Sequence, residues 1–280
     1  MKIVVRRTAG IGDSLAATVV ADLLHDQGHK VVWQCHPEVI PIIKRHPTIV
    51  RVEPPKGHCD VNLDGCYENH PNARLAHFHD IFITAAAMQL ERIGVSIAMN
   101  KPPKPPRLGL KGDFGVVSQR FPQSDGPFVG IVPRSNYLTR GLTDAVWDKV
   151  IPLINGRTVW ISEQPRGRNA IKGMNINYAA DLIMCLDLVV TVDTGPMHIA
   201  SAYGVPMVVI SQSHDVHLRL SPLSDFEVVK RRDLDCLNCQ RHRCPIDPYN
   251  PPCGQIDPQQ LADVVNRKLA KLEPSNPIAA

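Results

Sequence analysis

Apolar residues occur along this chain in short runs bounded by turn-forming residues, and the runs alternate with stretches of helical periodicity. The first, Lys2-Ile-Val-Val5, has the length and composition of a buried strand. A glycine turn, Gly10-Ile-Gly-Asp13, follows, and an amphipathic stretch then predicts a helix over residues 14–27 that stops at Gly28. A strand at 30–35, a helix at about 38–45, strands around 50–52 and 61–63, and an Ala-, Met- and Leu-rich helix at about 82–93 complete the first half. Lys101-Pro-Pro-Lys-Pro-Pro106 breaks the pattern, because proline lacks the N–H that a helix interior and a central strand both need. We read this segment, on to about residue 119, as the approach to a domain junction.

The pattern then restarts. Strands are predicted at 128–132, 158–161, 187–192 and 207–210, with a helix at 144–154 that carries Trp147 and a short glycine-closed helix from about 197. Alternating strands and helices favour an α/β fold with parallel sheets. Two such halves predict two Rossmann-like domains, 1–118 and 119–280, whose sheets face across a cleft with ligands at the carboxyl ends of the strands. The second domain would include a cysteine-rich loop at 236–253 and a C-terminal helix. The tail after Glu273 is expected to be disordered.

Composition narrows the function classes. The net charge of +4 suits an anionic small-molecule substrate and is too weak to argue for nucleic acid. Aromatics at 5% are too sparse for a base-stacking platform. No apolar run reaches the length of a membrane span and the N-terminus has no secretory pattern, so a cytoplasmic protein is expected, with peripheral placement at an inner membrane face compatible.

The most informative stretch is Asp193-Thr194-Gly195-Pro196, between the apolar run 187–192 and the helical segment that begins Met197-His198. A helix N-terminus at the tip of a parallel strand offers unpaired N–H groups and a positive dipole end to a diphosphate. Asp193 or Thr194 can cap that helix, and Pro196 fits its first turn. The same features also describe an ordinary βαβ turn.

Several segments, in order, resemble glycosyltransferase family 9, the ADP-heptose:lipopolysaccharide heptosyltransferase-like enzymes of the two-domain GT-B fold. They are Gly10-Ile-Gly-Asp13, Val132-Pro-Arg-Ser135 with Arg140, and the run from Ala180 through Asp193-Thr-Gly-Pro-Met-His198 to Gly204-Val-Pro206. The resemblance runs from about residue 2 to about 265. It implies an inverting, metal-independent transfer of a sugar, heptose first, from an ADP- or UDP-linked donor to a saccharide or glycolipid acceptor such as lipopolysaccharide core. Asp13 would be the catalytic base on the acceptor side, beside Gly10 and Gly12. Ser135, Arg140, Asp193, Thr194, Gly195, Met197 and His198 would hold the donor and its diphosphate. The family usually has a lysine near Arg140; arginine keeps the charge and adds a bidentate contact.

The residue types suit that chemistry, since glycosyl transfer needs a base for the acceptor hydroxyl and positive potential for the departing diphosphate. Each has a plainer role beside it. Asp13 would cap the helix at 14–27, Arg140 would be a solvated arginine, Ser135 a loop serine, and His198 a satisfied core histidine. His58, His70, His77 and His79 would line an acceptor pocket or lie on the surface.

Cys236, Cys239, Cys244 and Cys253 could close a structural zinc site in a proline-rich loop; reduced thiols or local disulfides are the alternative. No cofactor is required for the transfer itself. Asp233-Leu-Asp235 matches a metal-binding DxD only superficially. Basic runs at 230–232 and 241–243 leave two further readings open: a related transferase acting on a modified nucleic-acid base, or a non-enzymatic nucleic-acid or zinc-binding module. Neither is favoured.

Overall fold

The computed structural model describes residues 1–97, 104–109, 114–121, 126–162 and 175–272. Part of the proline-rich segment and the tail expected to be disordered therefore lie outside the described residues. The chain divides into two compact units. One comprises Met1–Lys111 with Ser201–Tyr203 and His217–Ser224; the other comprises Gly112–Ala200, Gly204–Val216 and Asp225–Ala280.

The first unit is built on a parallel sheet of β1 (Lys2–Arg6), β2 (Lys30–Gln34), β3 (Ile49–Glu53) and β4 (Val61–Asn62), in the order β3-β2-β1-β4. Ile3 and Val5 on β1 are completely buried, as the period of two along a strand requires. The expected single helix at 14–27 is two helices, α1 (Ile11–Ala17) and α2 (Val19–Asp26). They part at Thr18, whose hydroxyl and N–H both turn back to the Leu15 carbonyl. α1 begins three residues earlier than the sequence pattern indicates, with Gly10 at its N-cap and no side-chain cap. The expected helix at 38–45 shrinks to α3 (Ile40–Ile43), and α4 (Phe78–Leu90) starts four residues earlier than expected because His77 caps it.

The second unit carries β5 (Phe128–Val132), β6 (Arg157–Trp160), β7 (Leu188–Val192), β8 (Met207–Ile210) and β9 (Phe226–Val229), all parallel, in the order β6-β5-β7-β8-β9. β5, β7 and β8 are buried at every position, which is why they read as continuous apolar runs. A Cβ at Gly130 in β5 would meet the ends of the Leu186 and Ile161 side chains, so a larger residue there requires those side chains to move. Helices α5 (Phe114–Arg120), α6 (Asp144–Val150), α7 (Ile176–Met184), α8 (Gly195–Tyr203) and α9 (Pro258–Leu269) surround this sheet. Trp147, Ile131, Val190, Leu261 and Val265 meet in its core. Each such side chain contributes roughly 1.5–3 kcal/mol by leaving water. The pattern did not predict α5 or β9, and its helix at 144–154 ends at Val150 in a short 3-10 turn.

Strand order fixes where a ligand can bind. In the first unit the chain moves outward from β1 through β2 to β3, then returns to the other side of β1 with β4. The second unit does the same from β5 through β6, returning with β7. Each sheet therefore has a switch point, β1/β4 and β5/β7, where crossovers leave in opposite directions and a crevice opens at the strands' carboxyl ends.

Candidate active site

Two clusters of charged side chains stand at these two switch points. In the first unit, Arg7 directly follows β1, Asp13 lies in the first turn of α1, and Glu68 lies in the segment after β4. Asp13 is therefore not the helix cap that the sequence offered as its plainer role. An acidic residue in a helix's first turn is still favoured by the dipole. The carboxylate is about one-third exposed (36%), while the Arg7 guanidinium beside it, 3.8 Å away, is almost wholly buried. Gly10 has ordinary extended backbone angles, and Gly12 sits within α1, so both act as backbone around Asp13.

The histidines expected near an acceptor are mostly structural. His77 caps α4 by accepting from the His79 N–H, and its Nε2 donates to the Leu220 carbonyl at 2.8 Å. His79 is buried, His70 accepts from the Asn72 N–H, and exposed His58 meets Asp60.

In the second unit, β5 runs into the loop Pro133–Gly141 and β7 into Asp193. Arg140 donates to the Asp193 carboxylate at 2.8 Å and to its carbonyl at 3.0 Å. Both side chains are largely buried, at 14% and 9% exposure, so Arg140 is neither a solvated arginine nor an uncommitted cation. Its guanidinium also lies 3.8 Å from the centroid of the Tyr137 ring. A cation fixed by a carboxylate and an aromatic face is pre-oriented for an anionic ligand. Ser135 shapes the same loop: its hydroxyl accepts from the Tyr137 N–H at 3.1 Å, and its own N–H donates to the Arg140 carbonyl.

Thr194 and Gly195 are half-buried at the start of α8, whereas His198 is buried and Met197 is fully inside the core. The Met197 N–H is already donated to the Thr194 carbonyl at 3.0 Å, which corrects the expectation that this amide is open to a diphosphate.

Four residues the sequence reading missed complete the cluster. His214 follows β8, hydrogen-bonds Ser213 through Nδ1 at 3.0 Å, and has the same nitrogen 3.8 Å from the Asp193 carboxylate. Gln212 bridges the N–H and carbonyl of Gly141 with its side-chain amide. The His242 ring lies 3.8 Å from that of Tyr137, so Tyr137 is flanked by Arg140 and His242. The signal available for Gln212 and His214 was their place just past the carboxyl end of a parallel strand. Nothing in the sequence pointed to Tyr137, and His242 was visible only as part of the basic run at 241–243.

His242 belongs to the cysteine-rich loop, and this loop is fastened to the strand-end loops at several points. The Asn238 and Gln240 N–H groups donate to the Gln212 and Ser213 carbonyls, and the Thr139 hydroxyl donates to the Arg241 carbonyl. Asn238 and Gln240, on either side of Cys239, both have positive φ, near 60° and 55°. Such angles are unusual for non-glycine residues.

All eight cysteines are free thiols, so local disulfides are absent. Burial pushes the Cys253 thiol up to about 11, and the charges of Cys239, Cys244 and Cys236 push the same way. Among the described residues, no three His, Cys, Asp or Glu side chains converge in a metal-binding arrangement. The donor chemistry is nevertheless that of a soft-metal site. Asp233 of the DxD-like sequence is held by Arg231, whose hydrogen bond takes the Asp233 carboxyl down to about 2. That contact also removes Arg231 from the basic patch.

The two parallel sheets define the chain as a GT-B glycosyltransferase fold. It superimposes on a glycosyltransferase family 9 protein from Veillonella parvula with a TM-score of 0.72 at 14% identity, covering 97% of both chains. E. coli ADP-heptose lipopolysaccharide heptosyltransferase II gives 0.70 at 16% identity, covering 97% of this chain and 99% of that one. The iron-containing dodecameric glycosyltransferase TibC from enterotoxigenic E. coli gives 0.65 at 16%, covering 96% and 75%. No curated protein sequence matches the chain.

A family model, glycosyltransferase family 9 (heptosyltransferase), matches residues 161–250, which include β7, the Asp193 turn, α8 and most of the cysteine-rich loop. Over that stretch the chain is similar to glycosyltransferase family 9, and its fold is that of the solved glycosyltransferases above. Among the described residues no helix is long and apolar enough to cross a membrane.

Proposed function

We propose that the chain transfers a sugar, heptose first, from an ADP-linked donor to a saccharide or glycolipid acceptor of the lipopolysaccharide-core type, with inversion at the anomeric carbon. The observation that carries this reading is the placement of Asp13 in one unit and the Arg140–Asp193 pair in the other, each at its sheet's switch point. Support for the donor comes from relatives of the same fold. Heptosyltransferase II is named for ADP-heptose, and TibC has been solved with ADP-D-β-D-heptose.

In the proposed reaction Asp13 accepts the proton of the acceptor hydroxyl as that oxygen attacks the anomeric carbon. The bond from that carbon to the diphosphate oxygen breaks, and the electron pair leaves with the nucleotide diphosphate. Arg140 and the backbone of Thr194 and Gly195 stabilise that leaving charge, with the α8 dipole adding to them. Asp193 holds Arg140, while Ser135 and Tyr137 shape its loop. His198 lies in the first turn of α8 and His214 beside the Asp193 carboxylate, and we assign both to the sugar–diphosphate end of the donor.

No step of this transfer uses a metal. The four thiols of Cys236, Cys239, Cys244 and Cys253 are proposed to hold a structural ion, Zn²⁺ or iron, that orders the loop bearing His242. Elemental analysis of the purified protein tests that assignment. We place the protein in the cytoplasm, where nucleotide sugars are made.

The test of the main reading is calorimetric titration with ADP and UDP, followed by transfer assays with ADP-heptose. ADP binding that survives Asp13→Asn but is lost in Arg140→Ala is expected. Failure of both nucleotides to bind the wild-type protein overturns it.

A further inference from the structure

Apart from Trp33 and Trp147, Arg7 is the largest fully buried side chain among the described residues, and it is charged. Taking a guanidinium out of water costs several kcal/mol unless its donors are matched. Here Nη1 and Nη2 are matched, while the buried Nε has no partner. Nη1 and Nη2 donate to the two oxygens of Glu68 at 3.1 and 2.7 Å, and Nη1 also reaches the Leu63 carbonyl at 3.0 Å. The guanidinium carbon lies 5.2 Å from the centroid of the Phe82 ring. An ion pair kept only for folding would need nothing more.

The geometry does something further. The same Nη2 stands 3.8 Å from Asp13 Oδ1, beyond a hydrogen bond but well within strong electrostatic range. One buried positive charge thus serves two carboxylates. Glu68 takes the hydrogen bonds, and Asp13 feels the field without giving up an oxygen to the fork. A base must be ionised to take a proton, and a guanidinium at this distance favours the ionised form.

We propose that buried Arg7, paired with the half-exposed Glu68, is the positioning element of Asp13: Arg7 holds that carboxylate ionised, and Glu68 offsets enough of Arg7's charge to leave it a usable base. The catalytic consequence rests on the proposed role of Asp13. The electrostatic coupling itself is a property of the folded protein and can be read without turnover. The titratable groups around it are Arg7 after β1, and Glu68 and Cys66 after β4. His79 is buried on α4, the helix packed against α1.

The pKa directions agree with this account. Burial opposes the Arg7 charge, yet the Glu68 hydrogen bond and the Glu68 and Asp13 charges outweigh it and raise its pKa. Burial likewise works to raise Glu68, but Arg7 brings it below the ordinary carboxylate value.

The experiment follows the Asp13 carboxyl resonance by ¹³C NMR against pH in the full chain, assigned with Asp13→Asn. Glu68→Gln leaves Arg7 in place with an unshared charge, so the Asp13 pKa should fall. Arg7→Met removes the positive charge, so it should rise, by roughly one unit or more. Arg7→Lys keeps the charge and should restore most of the wild-type value. Packing damage would not move the two variants in opposite directions.

Absence of a downward shift in folded Glu68→Gln overturns the proposal, even if Arg7→Met fails to fold. A shift of the same sign in both variants overturns it too. Turnover retained in Asp13→Asn would remove the base role and leave the coupling standing. Loss of turnover in Asp13→Asn with no shift in the pair variants would remove the coupling alone.

Discussion

The two units place an aspartate at equivalent points of their sheets and use it in opposite ways. Asp13, after β1, is about one-third exposed and lies beside an arginine that spends its hydrogen bonds on Glu68. Asp193, after β7, is buried and spends its own oxygen on Arg140. A carboxylate that must accept a proton needs the first environment. A carboxylate that must fix a cation for a leaving diphosphate needs the second. Topology decides where a site forms, and the partner of each charge decides what the site can do.

Exchanging the chemistry of the two aspartates should give unlike results. Asp13→Asn is expected to reduce transfer by about 10²–10⁴-fold, the range of general-base catalysis, with little change in melting temperature or ADP affinity. Turnover within a few-fold of wild type would show that Asp13 is not the base. Asp193→Ala leaves the Arg140 guanidinium buried without its carboxylate. It should cost roughly 3–5 kcal/mol in chemical denaturation, with loss of ADP binding. Normal stability in that variant would mean the pair is weaker than its burial implies.

Acid should separate the units more gently. Burial lowers His46 to about 4, even though nearby Asp22 works to raise it. Its ring is inaccessible, with Nε2 3.7 Å from Asp22. The unfolded chain therefore binds this proton more tightly than the folded one. The His46 contribution is complete above about pH 6.5 and is lost as pH falls from there toward 4, by on the order of 2–3 kcal/mol. Denaturation followed through Trp33 in the first unit should show this loss between pH 7 and 5, and His46→Gln should flatten it. An unchanged slope in His46→Gln would assign the acid response elsewhere.

The smallest effect tests the cysteine-rich loop. His242→Ala removes a ring packed at a tilt against Tyr137, worth about 0.5–1.5 kcal/mol. ADP affinity should weaken by up to about tenfold through the looser Arg140 loop, without loss of fold. Unchanged affinity would separate this loop from donor binding.

Much of this protein was legible before any coordinates. Fully buried parallel strands such as β5, β7 and β8 carry a composition that polar surroundings cannot blur. The turns at Gly10–Asp13 and Asp193–Pro196 announce themselves by small residues at strand ends. α5 and β9 escaped because they are short and bury only part of their surface, so local pattern had little to report.

The start of α1 was misplaced because Gly10 caps it without a side chain, whereas Asp13 looked like the better cap. Tyr137, Gln212, His214 and His242 escaped for a different reason: they meet partners 71 or more residues away in the chain. Arg140 could be seen as a cation but not as one already tied to Asp193.

By itself, then, the order of residues determined the alternation of strands and helices, the family signature and the positions where chemistry could gather. Those are local or periodic properties of the chain. Tertiary structure alone decided which charges meet: Arg7 with Glu68 and Asp13, and Arg140 with Asp193. Burial and pairing set the ionisation of a side chain, and both depend on partners that the linear order does not place beside it.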